Sequence, residues 1–471
     1  DARTNVLWAS APGTILPDTT YYAEDHPQRE ELLNLWKEST ANLLKAYDFS
    51  DEEIEDLLEK RLELDRRIAA VVLSNEESSE YAKLYHPYSY EDFKKFAPAL
   101  PLDDFFQAVI GQTPDKVIVD EERFWQAAEQ FYSEEAWPLL KASLILSVVN
   151  LSTSYLTDEI RILSGAYGRA LSGVPEAQDK RKAAYHLAQG PFKQALGLWY
   201  AHEKFSPEAK ADVEKKVATM IDVYKERLAK NDWLTPETRD KAIVKLNVIK
   251  PYIGYPEELP ARYKDKVVDE TASLFDNALA FARVEIKHSW SKWNQPVDYK
   301  EWGMPAHMVN AYYNPQKNLI VFPAAILQAP FYDLHQSSSA NYGGIGAVIA
   351  HEISHAFDTN GASFDENGSL KDWWTESDYT AFKEKTQKVI DQFDGQDSYG
   401  ATINGKLTVS ENVADLGGIA AALEAAKREP DFSAEEFFYN FGRIWRMKGR
   451  PEFMKLLASV DVHAPAKLRV N

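Results

Sequence analysis

The chain of 471 residues contains no cysteine. No disulfide framework can therefore stabilise it, and no thiolate can act as a nucleophile or bind a metal. Any metal ion has to be held by histidine, aspartate or glutamate side chains. The absence favours a bacterial protein, cytoplasmic or exported, over an ectodomain that depends on disulfides.

Long apolar runs are also missing. The longest, ASLILSVVNL from Ala142 to Leu151, is about half of the roughly 20 residues that a membrane-spanning helix needs. No signal peptide is visible at the N-terminus, although the chain begins at Asp1 rather than at methionine. We therefore expect no membrane span in this chain, and we favour the cytoplasm slightly over export. The oligomeric state cannot be predicted.

Basic residues are fewer than acidic ones, 53 against 73, and the formal net charge is −20. Nucleic acids and anionic membranes are bound through basic surfaces, because their phosphates are negatively charged. The composition therefore argues against both kinds of partner.

Helical patterns dominate up to about residue 300, with apolar residues recurring every three or four positions. Strand patterns follow. AYYNPQKNLIVF, residues 311–322, predicts a hairpin around the turn-forming NPQKN, and ATINGKLTV, residues 401–409, predicts a second hairpin with Asn404 and Gly405 at its tip. The fold class that we expect is mainly α with a small β component.

The segment VIAHEISHAFD, from Val348 to Asp358, contains two histidines four positions apart. On a helix, His351 and His355 lie on one face, so both imidazoles can bind one Zn²⁺ at ~2.0–2.1 Å. Glu352 points about 100° around the helix, where it can accept a proton from a zinc-bound water. The alternative is an amphipathic helix that carries two histidines by chance.

A third protein ligand would complete a catalytic zinc site. ENVADLGG supplies Glu411, and Asp415 follows it by one helical turn. Glu411 could bind the metal while Asp415 accepts the free N–H of a ligand histidine and fixes its tautomer. Thr408 stands three positions before Glu411, so a capping box is an equally good interpretation of this glutamate.

Together, VIAHEISHAFD and the later ENVADLGG resemble the neprilysin family of zinc endopeptidases, within the thermolysin-like metallopeptidases. Three other segments are similar to that family in the same order: DWLTPETRDKAIVKLNVIKPYIGYP, VNAYYNPQKNLIVFPAAILQAPFY and DVHAPAKLRVN. The last has Ala464 where the family motif has serine. The resemblance covers most of the chain and indicates a bacterial oligopeptidase-like member, one that lacks the family's N-terminal portion and extreme C-terminus.

The resemblance implies a thermolysin-like zinc peptidase lobe that faces a helical cap lobe across an enclosed cleft. We expect the lobes to interleave in sequence. Residues 1–62 and 145–270 would form the helical cap lobe, and residues 63–144 and 271–471 the catalytic lobe.

The resemblance also implies roles for the matching positions. One zinc ion per chain would be bound by His351, His355 and Glu411. The catalytic groups would be Glu352 as general base, His463 as the group that stabilises the oxyanion, and Asp415 as the residue that orients a ligand histidine. The substrate main chain would be bound by Asn310, Ala311 and Arg469, and the apolar side chain after the scissile bond by Ile326, Phe331, Val348 and Trp445. Asp358 is expected to support the second histidine.

The predicted function is zinc-dependent hydrolysis of oligopeptides, preferentially before apolar residues. The four apolar pocket positions would serve equally well as ordinary core residues, and a lone histidine such as His463 is more often structural. The alternative function is a non-catalytic surface protein that binds host proteins and keeps a structural zinc site. Such a protein has no need for a general base, so the intact Glu352 favours the enzyme.

Overall fold

The computed structural model describes residues 2–471. Its secondary structure is mostly helical, with three small sheets, which confirms the predicted fold class. The helices are α1 Arg29–Lys45, α2 Asp51–Ala69, α3 Asn75–Ser79, α4 Tyr90–Lys94, α5 Leu102–Ile110, α6 Glu122–Gln126, α7 Trp137–Ser152, α8 Asp158–Ser164, α9 Ala166–Leu171, α10 Lys180–Lys204, α11 Pro207–Ala229, α12 Pro236–Asn247, α13 Leu274–Ser291, α14 Ser338–Asn341, α15 Ala347–Ser354, α16 Glu376–Phe393, α17 Val409–Ala426, α18 Ala434–Ile444, α19 Pro451–Val460 and α20 Ala466–Val470. None of these helices combines the length and the apolar character that crossing a membrane requires.

The strands are short. They are β1 Leu7–Ala9, β2 His86–Ser89, β3 Lys116–Val119, β4 Lys250–Gly254, β5 Tyr312–Asn314, β6 Leu319–Pro323, β7 Asp397–Ser398 and β8 Ala401–Thr402. In the second sheet, of order β4-β6-β5, β4 runs parallel to β6 and β5 antiparallel to it, with Tyr312 opposite Val321. The predicted hairpin at 311–322 is therefore confirmed. β5 is an edge strand, so its outer edge remains available to an added strand.

The second predicted hairpin, over residues 401–409, is wrong: only Ala401 and Thr402 of this segment form a strand, and their partner is Asp397–Ser398. β7 and β8 pair around Tyr399 and Gly400, both at positive φ, so the tip lies before Asn404. The Asn404 side chain instead accepts hydrogen bonds from the N–H groups of Lys406 and Leu407, just before α17 begins. An asparagine can close a turn in this way as easily as it forms a hairpin tip.

The largest core joins α11, β6, α15 and α17. Its members are fully or almost fully buried and include Val213, Met220, Ile320, Phe322, Ile349, Ile353, Ala421 and Ala425. Part of the segment that we expect in the cap lobe, residues 207–254, thus packs directly against the helices that carry the zinc motif. A separate core gathers residues 64–131 around β3. The division of the chain into two lobes remains a prediction.

The N-terminal ends of α12 and α16 are joined by hydrogen bonds to one buried aspartate. The side chain of Asp378, only 1% exposed, accepts hydrogen bonds from the N–H and hydroxyl groups of Thr235 at 2.9 and 2.6 Å and from the hydroxyl of Thr375 at 2.7 Å. These threonines are the N-caps of α12 and α16. Burial acts to raise the pKa of Asp378, but the threonine hydrogen bonds outweigh it and lower that pKa to about 2.

Candidate metal centre and active-site cavity

The side chains of both motif histidines, on helix α15 and at its C-terminal end, point towards each other. The side chain of His351 lies in the last turn of the helix, and His355 follows as the residue that caps it, still with helical backbone angles. Their Nε2 atoms are 3.0 Å apart and their rings are nearly perpendicular, at 89°. This is the convergence that the four-residue spacing predicts.

Glu411 reaches the same point from α17. Its Oε2 atom lies 3.2 Å from Nε2 of His351 and 3.5 Å from Nε2 of His355. The two helices can approach closely because Gly418 has no side chain: a Cβ there would lie 2.8 Å from the backbone nitrogen of His351. Glu411 therefore lies where the third ligand of a catalytic zinc site belongs.

The capping interpretation of Glu411 is wrong. Thr408 is the N-cap residue of α17, but its side chain makes no capping hydrogen bond. Its hydroxyl instead donates to the backbone carbonyl of Asn404. The reciprocal pair of bonds that defines a capping box is therefore not formed.

The donor set fits zinc. The ligand atoms of His351, His355 and Glu411 all lie within 4.8 Å of one another. Oε2 of Glu411 is buried and has no hydrogen-bond partner of acceptable geometry within residues 2–471. A buried carboxylate oxygen is normally satisfied, so an orphaned one between two imidazoles indicates a place for a cation. Two imidazoles and one carboxylate are a ligand set of catalytic zinc sites.

Each ligand histidine has its own carboxylate partner on the far side of the ring. Nδ1 of His351 lies 2.8 Å from Oδ1 of Asp415, and Nδ1 of His355 lies 2.5 Å from Oδ2 of Asp358. These bonds hold the proton on Nδ1 and leave the Nε2 lone pair for a metal. Ser410 also donates to Asp358, at 2.7 Å.

The guanidinium of Arg469 forms a two-pronged pair with Asp415, at 2.6 Å from Nε and 2.7 Å from Nη2. Burial acts to raise the pKa of Asp415, but Arg469 and His351 outweigh it and lower that pKa to about 2. The same guanidinium lies over the ring of Trp445, 3.9 Å from its centroid. Arg469 therefore contacts both the carboxylate that pairs with His351 and the wall of the cavity.

Glu352 and His463 flank the cluster. Glu352 is 6% exposed, and burial raises the pKa of its carboxyl. Nε2 of His463 lies 3.2 Å from Oε2 of Glu411, and its Nδ1 lies 2.8 Å from Oδ1 of Asp461. Burial acts to lower the pKa of His463, but Asp461 and Glu411 outweigh it and raise that pKa to about 9. The cavity thus places a buried carboxyl and a histidine ring on either side of the three candidate ligands.

One cavity of about 470 Å³ is lined by every site residue that the sequence predicts. These are His351, His355, Glu411, Glu352, His463, Asp415, Asn310, Ala311, Arg469, Ile326, Phe331, Val348 and Trp445. Asn310 and Ala311 stand immediately before the edge strand β5. The structure therefore brings these residues together, while their individual roles remain predictions.

Sequence reasoning missed four residues of this cavity that carry hydroxyl groups. Ser410 stands next to Glu411, and Tyr312 and Tyr313 directly follow Ala311, so proximity to the motifs could have pointed to all three. Tyr81 also lines the cavity, although it lies far from the motifs in the sequence. No local pattern marks Tyr81, since only the tertiary fold brings it to the site.

The chain belongs to peptidase family M13, whose models match residues 1–256 and residues 310–471. This is the neprilysin family that the motifs indicate, and the chain is accordingly a zinc metalloendopeptidase with zinc as its cofactor.

Two bacterial proteins are similar over most of the chain. A putative zinc metalloproteinase encoded in the scaA 5′ region of Streptococcus gordonii is 76% identical over 437 residues, which cover 93% of this chain and 78% of the relative. A neutral endopeptidase of Lactococcus lactis subsp. lactis is 48% identical across 100% of this chain and 75% of its own length.

Solved structures agree with these relationships. PepO from Lactobacillus rhamnosis HN001 superposes with a TM-score of 0.96 at 37% identity, over 100% of this chain and 75% of that one. The zinc metalloprotease ZMP1 of Mycobacterium tuberculosis, in complex with an inhibitor, gives a TM-score of 0.92 at 28% identity, over 100% of this chain and 74% of that one.

Proposed function

We propose that this chain hydrolyses oligopeptides, preferentially before apolar residues, with Glu352 as the general base. The observation that carries the proposal is the convergence of three ligand atoms within 4.8 Å of one another in the cavity that Glu352 also lines. His351, His355 and Glu411 would hold the zinc, which supplies a Lewis acid when bound.

The extended peptide would bind as an added strand along the free edge of β5. Main-chain hydrogen bonds at such an edge hold a peptide regardless of its sequence. The side chain of Asn310 stands exposed at the start of this edge, and its Oδ1 accepts the N–H of Ala311 at 2.9 Å. Asn310 is therefore in place to offer its amide N–H groups to a substrate carbonyl.

Glu352 would accept a proton from the attacking water and later donate it to the leaving amine. Its buried position raises the pKa of its carboxyl, which makes it a better proton acceptor than an exposed glutamate. His463 would donate a hydrogen bond to the carbonyl oxygen as that oxygen gains negative charge. Asp461 accepts the hydrogen bond from Nδ1 of His463 at 2.8 Å and favours the protonated ring, which suits His463 to this role.

The apolar preference is supported by the part of the cavity wall that Ile326, Phe331, Val348 and Trp445 form. The transfer of an apolar side chain from water to such a wall is favourable by roughly 25 cal/mol per Å² of apolar surface buried. A cavity of about 470 Å³ accommodates a segment of extended peptide.

The test is cleavage of a mixture of peptides of ten to thirty residues, followed by mass spectrometry, with Glu352→Gln as the matched control. We expect cuts before apolar residues in the unsubstituted chain. The control should keep its zinc and lose activity by a factor of about 10²–10⁴, which is the usual contribution of a general base.

Two outcomes would contradict the proposal. Equal cleavage by the control would remove Glu352 from its role, and cuts spread evenly over polar and apolar positions would remove the preference. Absence of cleavage with zinc retained would favour the alternative of a non-catalytic binding protein. That alternative also requires that binding of its partner survives both Glu352→Gln and removal of zinc.

A further inference from the structure

Tyr81 enters the active-site cavity from a part of the chain far from the zinc motifs. Its side chain is 41% exposed, and its ring lies 6.3 Å from that of Phe364. No group within residues 2–471 forms a hydrogen bond with its hydroxyl. The chain therefore makes no structural use of this hydroxyl, and both ring and hydroxyl are available to a ligand in the cavity.

The segment that carries Tyr81, residues 74–84, is fastened to the zinc-binding elements. The side chain of Asn360, 4% exposed and just after the zinc motif, donates a hydrogen bond to the carbonyl of Ser79 at 2.8 Å. The side chain of Asn404, just before α17, donates to Glu76 at 2.7 Å. These hydrogen bonds fix the position of the Tyr81 segment relative to the elements that carry the three proposed zinc ligands.

The Nε2 atoms of the two motif histidines converge, but their carboxylate partners, Asp415 and Asp358, belong to two different sides of the cavity lining. At one end, His351 contacts Asp415, and Asp415 contacts Arg469. Arg469 in turn covers Trp445, a member of the apolar wall that we propose for the residue after the scissile bond. This end therefore receives the amine side of the substrate.

Tyr81 lies at the other end. His355 contacts Asp358 there. Asn360, two residues after Asp358, holds the Tyr81 segment through the carbonyl of Ser79 and the N–H of Ala82. Tyr313 lies two positions after Ala311 on the edge strand and lines the cavity together with Tyr81. A peptide bound along this strand would therefore pass Tyr81 with the residues that precede the scissile bond. This end receives the acyl side.

We propose that the ring of Tyr81 packs against the side chain of the residue that precedes the scissile bond and sets which residues are accepted there. The proposal rests on the proposed peptidase function and adds a second point of selectivity to it. A large apolar side chain at this position would gain contact with the exposed ring face, which glycine cannot do.

The test compares three peptides that share one apolar residue after the bond and carry glycine, alanine or phenylalanine before it. For the unsubstituted chain we expect kcat/KM to rise from glycine to phenylalanine. Tyr81→Ala should reduce this preference by about 2- to 13-fold, because the aromatic pair between its ring and the substrate phenylalanine is lost. Tyr81→Phe keeps the ring and should keep the preference.

Tyr85→Ala is the matched control. Tyr85 belongs to the same stretch of chain and is 38% exposed, but its ring packs edge-on to Trp8 at 6.2 Å, away from the cavity. Its substitution should leave the preference unchanged. Zinc content is measured for each variant, so that an intact site is established before the rates are compared.

The proposal is overturned if Tyr81→Ala lowers kcat/KM by the same factor for all three peptides, which would indicate a structural role only. An unchanged preference in Tyr81→Ala, or a lost one in Tyr81→Phe, also overturns it. Failure of the proposed function looks different: the unsubstituted chain then shows no cleavage that depends on Glu352, and both proposals fall.

Discussion

Lys245 should be a strong determinant of stability near the zinc site. It lies in α12 and is 1% exposed. Its ammonium donates to three backbone carbonyls, those of Ala356 and Gly361 at 2.8 Å and that of Phe364 at 2.6 Å. An ammonium has three N–H donors, and here each has an acceptor. The three carbonyls belong to the loop that carries Asp358, the partner of His355.

Substitution Lys245→Met preserves most of the volume and removes the donors. The Gly361 carbonyl still accepts the N–H of Phe364, and the Phe364 carbonyl still accepts the indole N–H of Trp373. The Ala356 carbonyl keeps no other donor within residues 2–471. One orphaned buried carbonyl costs about 1–3 kcal/mol, and the two weakened ones add about 1 kcal/mol, so we expect a loss of about 2–4 kcal/mol.

The assay is chemical unfolding of the zinc-loaded chain, paired with zinc affinity measured by chelator competition. A looser loop would free Asp358 from His355, so zinc affinity should fall by about tenfold, as it does when outer partners of zinc ligands are lost. The control is Lys241→Met on the same helix, whose exposed ion pair with Glu237 should contribute no more than about 1 kcal/mol. Equal unfolding of the two variants, with zinc affinity unchanged, would refute the reasoning.

Two further predictions concern acid stability and helix contact. Asp378 has a folded-state pKa of about 2, below its ordinary value of 3.8, so its contribution of about 2 kcal/mol is present above pH ~4 and is lost as pH falls towards ~2. Asp378→Asn should therefore lower stability at pH 7 and flatten acid unfolding between those values; an unchanged acid transition would contradict this. Gly418→Ala would place a Cβ 2.8 Å from the backbone of His351 and separate the zinc-binding helices. Its zinc affinity, by chelator competition, should drop by about tenfold or more, whereas Gly442→Ala, with only one contact at 3.9 Å, should bind zinc normally.

The features that sequence predicted well are those fixed by short spacings. The convergence of His351 and His355 follows from helical geometry alone, because residues four apart share a face. The hairpin at 311–322 follows from two β-rich runs around a turn. The role of Glu411 does not follow from spacing, because a zinc ligand and a helix-capping residue fit the spacing equally well. The structure excludes the capping role, since the side chain of Thr408 makes no capping hydrogen bond.

The features that sequence could not predict depend on contacts between distant segments. Asn404 and Gly405 have the composition of a hairpin tip, yet the Gly405 N–H donates to the side chain of Asp394, and the segment leads into a helix. Tyr81 reaches the cavity because Asn360 and Asn404 anchor its segment. These two hydrogen bonds join residues 281 and 328 positions apart, and no local pattern encodes them.

The two halves of the metal centre are supported by different parts of the chain. His351 is oriented by Asp415, whose carboxylate is held by Arg469 from the short C-terminal helix α20. His355 is oriented by Asp358, whose loop is held by Lys245 from α12. A ligand histidine binds zinc well only while its Nδ1 proton is fixed. Disturbing either support should therefore weaken zinc binding, measured by chelator competition, without touching a ligand.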